Sequence, residues 1–106
     1  FGGPQGMFVI ESAIAHAAEK LNVSAAEIQR KNLLKTDDEF PYGQFAVSEA
    51  EASWSQADKQ FDFNRLKAEA DEFNQNSKYF KKGVAIQPIC FGISFTKTLM
   101  NQARSL

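Results

Sequence analysis

Cysteine occurs once in these 106 residues, as Cys90, and histidine once, as His16. A single cysteine excludes an internal disulfide, a cysteine-rich zinc site and an iron–sulfur cluster carried by this chain alone. It lies beside Phe91 in an apolar run, where a free thiol behaves as a small hydrophobe. His16 has no second ligand at HExxH spacing, so it reads as a half-exposed helix residue. Charge of one sign is equally scarce, with 12 Lys+Arg against 13 Asp+Glu. No basic surplus is left to hold a phosphate backbone, and nucleic acid is not an expected partner. No apolar run approaches the roughly 18 residues of a membrane span. The N-terminus lacks the basic and apolar regions of a signal peptide. The expected location is cytoplasmic.

What is present describes one unit at most. A mass of 11.8 kDa and 43% hydrophobic residues suit a single globular piece with little surplus stability. The chain opens at Phe1 directly into Gly-Gly-Pro-Gln-Gly, which reads as a turn entered from a cut loop, so a fragment or processed product is expected. The FGGPQG stretch precedes a helix but matches neither GxGxxG nor the P-loop.

Periodicity predicts about four helices. Met7, Ile10, Ile14, Ala17 and Leu21 recur at intervals of three and four, the mark of an amphipathic helix with Glu11, Ser12, His16, Glu19 and Lys20 on its other positions. Ser24-Ala25-Ala26-Glu27 is a capping box, with Val23 placed to staple onto Ile28, and opens a short helix to about Lys31. Residues 35–46 carry charge, a proline and a glycine without period, which marks a surface connection. A second capping box, Ser48-Glu49-Ala50-Glu51, predicts a helix with Ala50, Trp54, Ala57 and Phe61 inward. The chain restarts at Phe61-Asp62 as a fourth helix with Phe63, Leu66, Ala70 and Phe73 on one face and a basic end around Lys78 to Lys82. Helical residues thus span about 6–33 and 48–77. Glu49, Glu51, Glu69, Asp71 and Glu72 read as solvated faces, not paired catalytic carboxylates.

Residues 83–98 read as strand. Ile89, Phe91, Ile93 and Phe95 share one face, while Cys90, Ser94, Thr96 and Thr98 share the other. Pro88 forbids one ladder bond and implies an edge, a bulge or a bend. The strand needs a partner, found either in a hairpin of residues 83–88 on 92–98 or in a sheet made elsewhere.

Two stretches carry a resemblance. FGGPQGMFVIESAIAHAA at 1–18 followed by IQRKNLL at 28–34, and KKGVAIQPICFGISFTKTLMNQA at 81–103, resemble the molybdenum-binding subunit of xanthine dehydrogenase. YGQ at 42–44 and DFNRLKAEADEFN at 62–74 fall between them in the expected order. The likeness implies an α+β fragment of a larger α/β molybdopterin-binding domain covering residues 1–106. It also implies that Phe1 and Phe95 hold a flat purine between them and that Thr96 adds a polar contact. Ring stacking and edge contacts grip such heterocycles, and a few polar groups orient them. Phe95 and Thr96 would point to opposite faces of a continuing strand, so either the strand ends there or Thr96 offers its backbone.

The same resemblance implies a parent oxidoreductase of purine catabolism that takes hypoxanthine and xanthine toward urate. It would carry a molybdopterin cofactor in this subunit and pass electrons to [2Fe-2S] clusters and FAD in other parts of the enzyme. The family's GTEMGQG loop, its base glutamate and the arginine before FGG lie outside these residues, and after NQA this chain reads Arg104-Ser105-Leu106. The isolated chain is therefore expected to hold no cofactor and to be inactive. Its expected partners are a purine, the rest of the molybdenum subunit and the iron–sulfur/FAD subunit. The alternative class is a non-catalytic, mainly helical module that self-associates through its strand.

Overall fold

The computed structural model describes residues 2–90, and the helical expectation holds within them. Four helices follow in order: α1 (Gly3–Leu21), α2 (Ala25–Lys31), α3 (Ala50–Phe61) and α4 (Phe63–Asn76).

α1 begins earlier than its apolar period suggests. Gly2 caps it in the left-handed conformation at φ 82°, Pro4 sits in the first turn, and Gly6 N–H donates to Gly2 O at 2.9 Å. Proline is favoured there because its fixed φ suits a helix and its missing N–H would have had no intrahelical acceptor. The predicted turn is therefore the first turn of the helix. At the far end Asn22 is left-handed (φ 54°), and the Asn22 and Val23 N–H groups return to Glu19 O and Ala18 O. That pairing is a Schellman closure.

The inward stripe of α1 also differs from the predicted one. Met7, Glu11, Ile14 and Ala18 are the residues drawn inward, while Ile10, Ala17 and Leu21 are exposed. Both sets fit the 3.6-residue period, because α1 carries apolar residues on nearly every side. Packing against α2 decides between them.

Ser24 caps α2 as expected, its Oγ accepting from Glu27 N–H at 3.1 Å. The Glu27 carboxylate turns instead to Lys31 Nζ at 2.8 Å. The second capping box does not form. Glu49 stands at the N-cap without a side-chain bond, Ser48 Oγ donates to Leu34 O at 2.6 Å, and Glu51 accepts from Arg30. A charge-assisted bond from a guanidinium outcompetes a backbone N–H for the same carboxylate.

The connection at 35–46 is more ordered than its composition suggests. Glu39 and Phe45 form an antiparallel bridge, Phe40 N–H donates to Gln44 O at 2.8 Å, and Gly43 turns the chain at φ 82°. Phe40 and Tyr42 stack with ring centroids 5.1 Å apart. α3 buries Trp54 and partly buries Ala50 and Ala57, but Phe61 is exposed, correcting its inward assignment. Asp62, left-handed at φ 53°, ends α3 and caps α4 through Arg65 N–H at 3.1 Å. On α4 the inward residues are Phe63, Leu66, Ala70 and Phe73, the face its period predicts. Lys81 Nζ reaches back to the carbonyls of Asn74 and Ser77, so the basic segment closes the negative end of the helix.

The predicted strand does not form over 83–90, where the backbone joins no ladder among the described residues. An extended segment stays a strand only when a neighbour takes its N–H and C=O groups, and Pro88 has no N–H to give. Residues 91–98 lie outside the described residues.

The core is thin. Its buried apolar members are Ala18, Leu33, Ala46, Trp54 and Ala70, and among the described residues no large side chain is fully enclosed. The radius of gyration is 16.7 Å, against about 13 Å for a compact domain of this length.

The tie between α2 and α3 is an ion pair at the surface. Arg30 Nη2 meets Glu51 Oε1 at 2.5 Å, and Ser55 Oγ donates to the same oxygen at 3.2 Å. The hydrogen bond from Arg30 holds Glu51 below the usual carboxylate range, partly opposed by desolvation, and Arg30 is raised in turn. A carboxylate depressed in the folded state contributes stability above its unfolded pKa of about 4.3, lost as pH falls through the lower folded value. The expected outcome is that the denaturant midpoint falls less between pH 7 and pH 3 in Glu51→Gln than in the wild type, with the gap closing at high salt.

Candidate functional site

The three residues assigned to a pocket from sequence, Phe1, Phe95 and Thr96, all lie outside the described residues. What is described is the turn that follows Phe1 and the stretch up to Cys90 that leads toward the other two. Phe1 is followed by Gly2, whose left-handed backbone sets the direction in which the chain enters α1. A Cβ built on Gly2 or on Gly6 meets no atom within 4 Å, so this turn has open space beside its backbone. α1 has no side-chain cap bond at its start and no acidic residue in its first turn. The positive end of its dipole is therefore uncompensated by side chains of this segment.

A shallow, open groove of about 460 Å³ runs along the first half of α1, lined by Pro4, Met7, Phe8, Glu11, Ser12 and Ala15, and by Gln87 from the later part of the chain. The stretch that leads toward Phe95 thus comes beside the N-terminal half of α1. Two parts of the chain far apart in sequence share one groove wall. A second hollow, about 440 Å³ between the end of α2 and the start of α3, is occupied at its rim by the Arg30–Glu51 pair and carries no unsatisfied polar atom.

Sequence reasoning missed the polar contact inside the helical pair. Gln29 Nε2 donates to Glu11 Oε2 at 2.6 Å, joining α2 to α1. Glu11 reads as an outward residue on the apolar period, yet it belongs to the inward stripe. The one available signal was its spacing from Met7, Ile14 and Ala18. Among the described residues no three His, Cys, Asp or Glu side chains converge to hold a metal ion, and Cys90 is an exposed free thiol.

Comparison with known proteins supplies the context. Residues 1–33, which hold α1 and α2, match the molybdopterin cofactor-binding domain family. Xanthine dehydrogenase 1 of Arabidopsis thaliana is 39% identical over 107 residues, covering 100% of this chain and 8% of its own length. The chain is homologous, end to end, to a segment of the xanthine dehydrogenase family. Aldehyde oxidase 2 of Cavia porcellus is 36% identical, covering 100% of the chain and 8% of its own length. A nicotinate hydroxylase of Emericella nidulans is 35% identical over 97% of the chain and 8% of its own length. The chain spans about 8% of the length of these relatives. No solved structure matches it. Because the xanthine dehydrogenase, aldehyde oxidase and nicotinate hydroxylase relatives match almost equally well, overall identity in this segment does not distinguish their substrates.

The glycines at the start of α1 separate two backbone requirements within one turn. Gly2→Ala is expected to cost about 1–2 kcal/mol, since a left-handed backbone penalises any Cβ. Gly6→Ala, helical and with open space, is expected to stabilise the segment by about 0.5–1 kcal/mol. Thermal unfolding of the two variants followed by circular dichroism measures both.

Proposed function

We propose that this segment walls part of the substrate pocket of a molybdopterin-dependent hydroxylase, with Phe1 and Phe95 on the two faces of a purine and Thr96 as a polar contact. The observation that carries the reading is the homology to xanthine dehydrogenases along the whole chain, with FGGPQG and FGISFT both inside the aligned stretch. The groove shared by Pro4, Met7 and Gln87 supports it, since it draws the approaches to both motifs onto one helix. The cofactor supplies the oxidation chemistry when bound. The part of this chain is to bind and orient: two aromatic rings fix the plane of a heterocycle, and a polar group fixes its rotation. The parent oxidises hypoxanthine and xanthine, passing electrons to [2Fe-2S] clusters and FAD held elsewhere in the enzyme. The isolated segment is expected to be inactive alone, because the GTEMGQG loop and the base glutamate that the resemblance implies are not among these residues.

Alanine substitutions in the intact enzyme separate pocket from packing. Phe95→Ala removes an aromatic wall and is expected to lose about 1 kcal/mol or more of stacking, so kcat/KM for xanthine falls by about fivefold or more. Phe91→Ala is expected to cost about 3–5 kcal/mol of stability through the cavity it leaves, and to show as a lower melting temperature. A Phe95→Ala enzyme with wild-type kcat/KM and a melting point many degrees lower refutes the pocket assignment.

The second reading, a non-catalytic module that self-associates, is expected from sequence to act through residues 83–98; the one observation in favour of self-association lies instead on α1. Phe8, Val9 and Ile10 are 75%, 68% and 55% exposed on a single turn of α1. Apolar surface of that kind is covered in solution by whatever is available. The isolated chain is expected to sediment as a dimer or larger species at tens of micromolar. Charged substitutions at Phe8 and Ile10 should return it to a monomer.

A further inference from the structure

We propose that Gln29 and Glu11 are positioning residues that set the angle at which α1 presents its N-terminal turn to the substrate. The inference rests on the pocket reading above and adds to it the residues that hold one wall in place. Gln29 is the one buried polar side chain among the described residues, at 7% exposure. Its bond to Glu11 is the one side-chain hydrogen bond between α1 and α2 among them.

The two helices pack together, and the other residues drawn inward on them are small or apolar, including Ile14, Ala18, Ala25 and Ile28. Apolar contact is non-directional and tolerates sliding and tilting. A hydrogen bond to a carboxylate is neither long nor tolerant of bad angles, and burial makes leaving either partner unpaired costly. The pair therefore converts a greasy contact into a fixed crossing. Glu11 is also a wall residue of the groove that holds Pro4, Met7, Phe8 and Gln87, so the fixed point lies at the site rather than remote from it.

Leverage gives the pair its functional weight. Gly2 lies nine residues before Glu11, about 14 Å along a helix that rises about 1.5 Å per residue. A tilt of roughly 5° about Glu11 moves Gly2 by about 1 Å, and a misplacement of that size at a substrate wall can cost up to about a hundredfold in rate. Relaxing the clamp thus acts on the pocket through the helix, with no contact between Gln29 and substrate.

The test uses the intact molybdenum enzyme that contains this segment, with kcat/KM for xanthine expressed per molybdenum-loaded site. Gln29→Leu removes the donor. Gln29→Asn keeps the amide but shortens it by one methylene, so it shifts the helix without leaving a carboxylate among apolar groups. Both are expected to lower kcat/KM per loaded site by about tenfold. The exchanged pair, Glu11→Gln with Gln29→Glu, keeps one amide and one carboxylate facing each other and is expected to restore at least half of that loss. A merely structural role predicts instead that molybdenum content and melting temperature fall while each loaded site keeps wild-type kcat/KM. That result, or an exchanged pair no better than Gln29→Leu, overturns the proposal. Phe95→Ala run alongside tells the two readings apart. If it is impaired while both Gln29 variants are normal, the clamp fails and the pocket stands. If it too is normal, the pocket assignment fails and the clamp falls with it.

Discussion

A helix that is apolar on nearly every side needs cover on nearly every side, and the described residues hold too little to cover α1. Met7, Ile14 and Ala18 face inward, yet Phe8, Val9, Ile10 and Leu21 remain exposed. Helices of that composition belong to the interior of a larger body. The shortage explains the thin core, in which three of the five buried apolar residues are alanines. It explains the extended outline of 54 × 27 × 27 Å as well. The chain spans about 8% of the length of the xanthine dehydrogenase it matches.

With so little apolar burial, directional bonds decide the path of the backbone. Asp62 ends one helix and begins the next with a single left-handed residue, and Ser48 bridges Leu34 to the start of α3. Lys81 and Asn74 fasten the segment after α4 to the end of that helix. These contacts lie at the surface or near it, where each contributes modestly. Together they fix the order and direction of the helices without fixing how tightly the helices pack. Gln29 and Glu11 are the exception, a polar bond placed inside a contact, where geometry is enforced most strongly.

The sequence was most legible where a local rule had no rival. Ser24 caps α2, Asp62 restarts the chain, and Phe63, Leu66, Ala70 and Phe73 line one face of α4, all as spacing predicts. Each reading failed where two rules met. The box at Ser48 lost Glu51 to Arg30, because a cation twenty-one residues away in sequence is adjacent in space. The stripe of α1 rotated because both of its faces are apolar, and a period cannot choose between two equal stripes. The bridge at Glu39 and Phe45 left no periodic trace, since a single pair is too short to show one. For the candidate site the reverse holds. Phe1, Phe95 and Thr96 came from resemblance in sequence, whereas the groove beside Glu11 and Gln87 depends on how the chain returns to α1.

That return is the step that links fold to function. Stacking between two aromatic walls is worth about 0.5–1.5 kcal/mol per contact, which is comparable to the entropy of ordering a single residue, about 1–2 kcal/mol. A wall that must be ordered at the moment of binding returns nothing. The walls become useful only if their backbone is held beforehand, which is preorganisation in its simplest form. Here the approach to one wall is the start of a 19-residue helix entered through a left-handed glycine. The approach to the other passes Gln87, in the groove of that same helix. On the proposed reading, one rigid element serves the approaches to both motifs. The exposed face of α1 asks for a large apolar surface to lie against, and a surface of that size would order the helix far more firmly than the contacts within this segment do. On the proposed pocket reading, pocket and cover are one requirement: the burial that the described residues lack is what would hold two aromatic walls still.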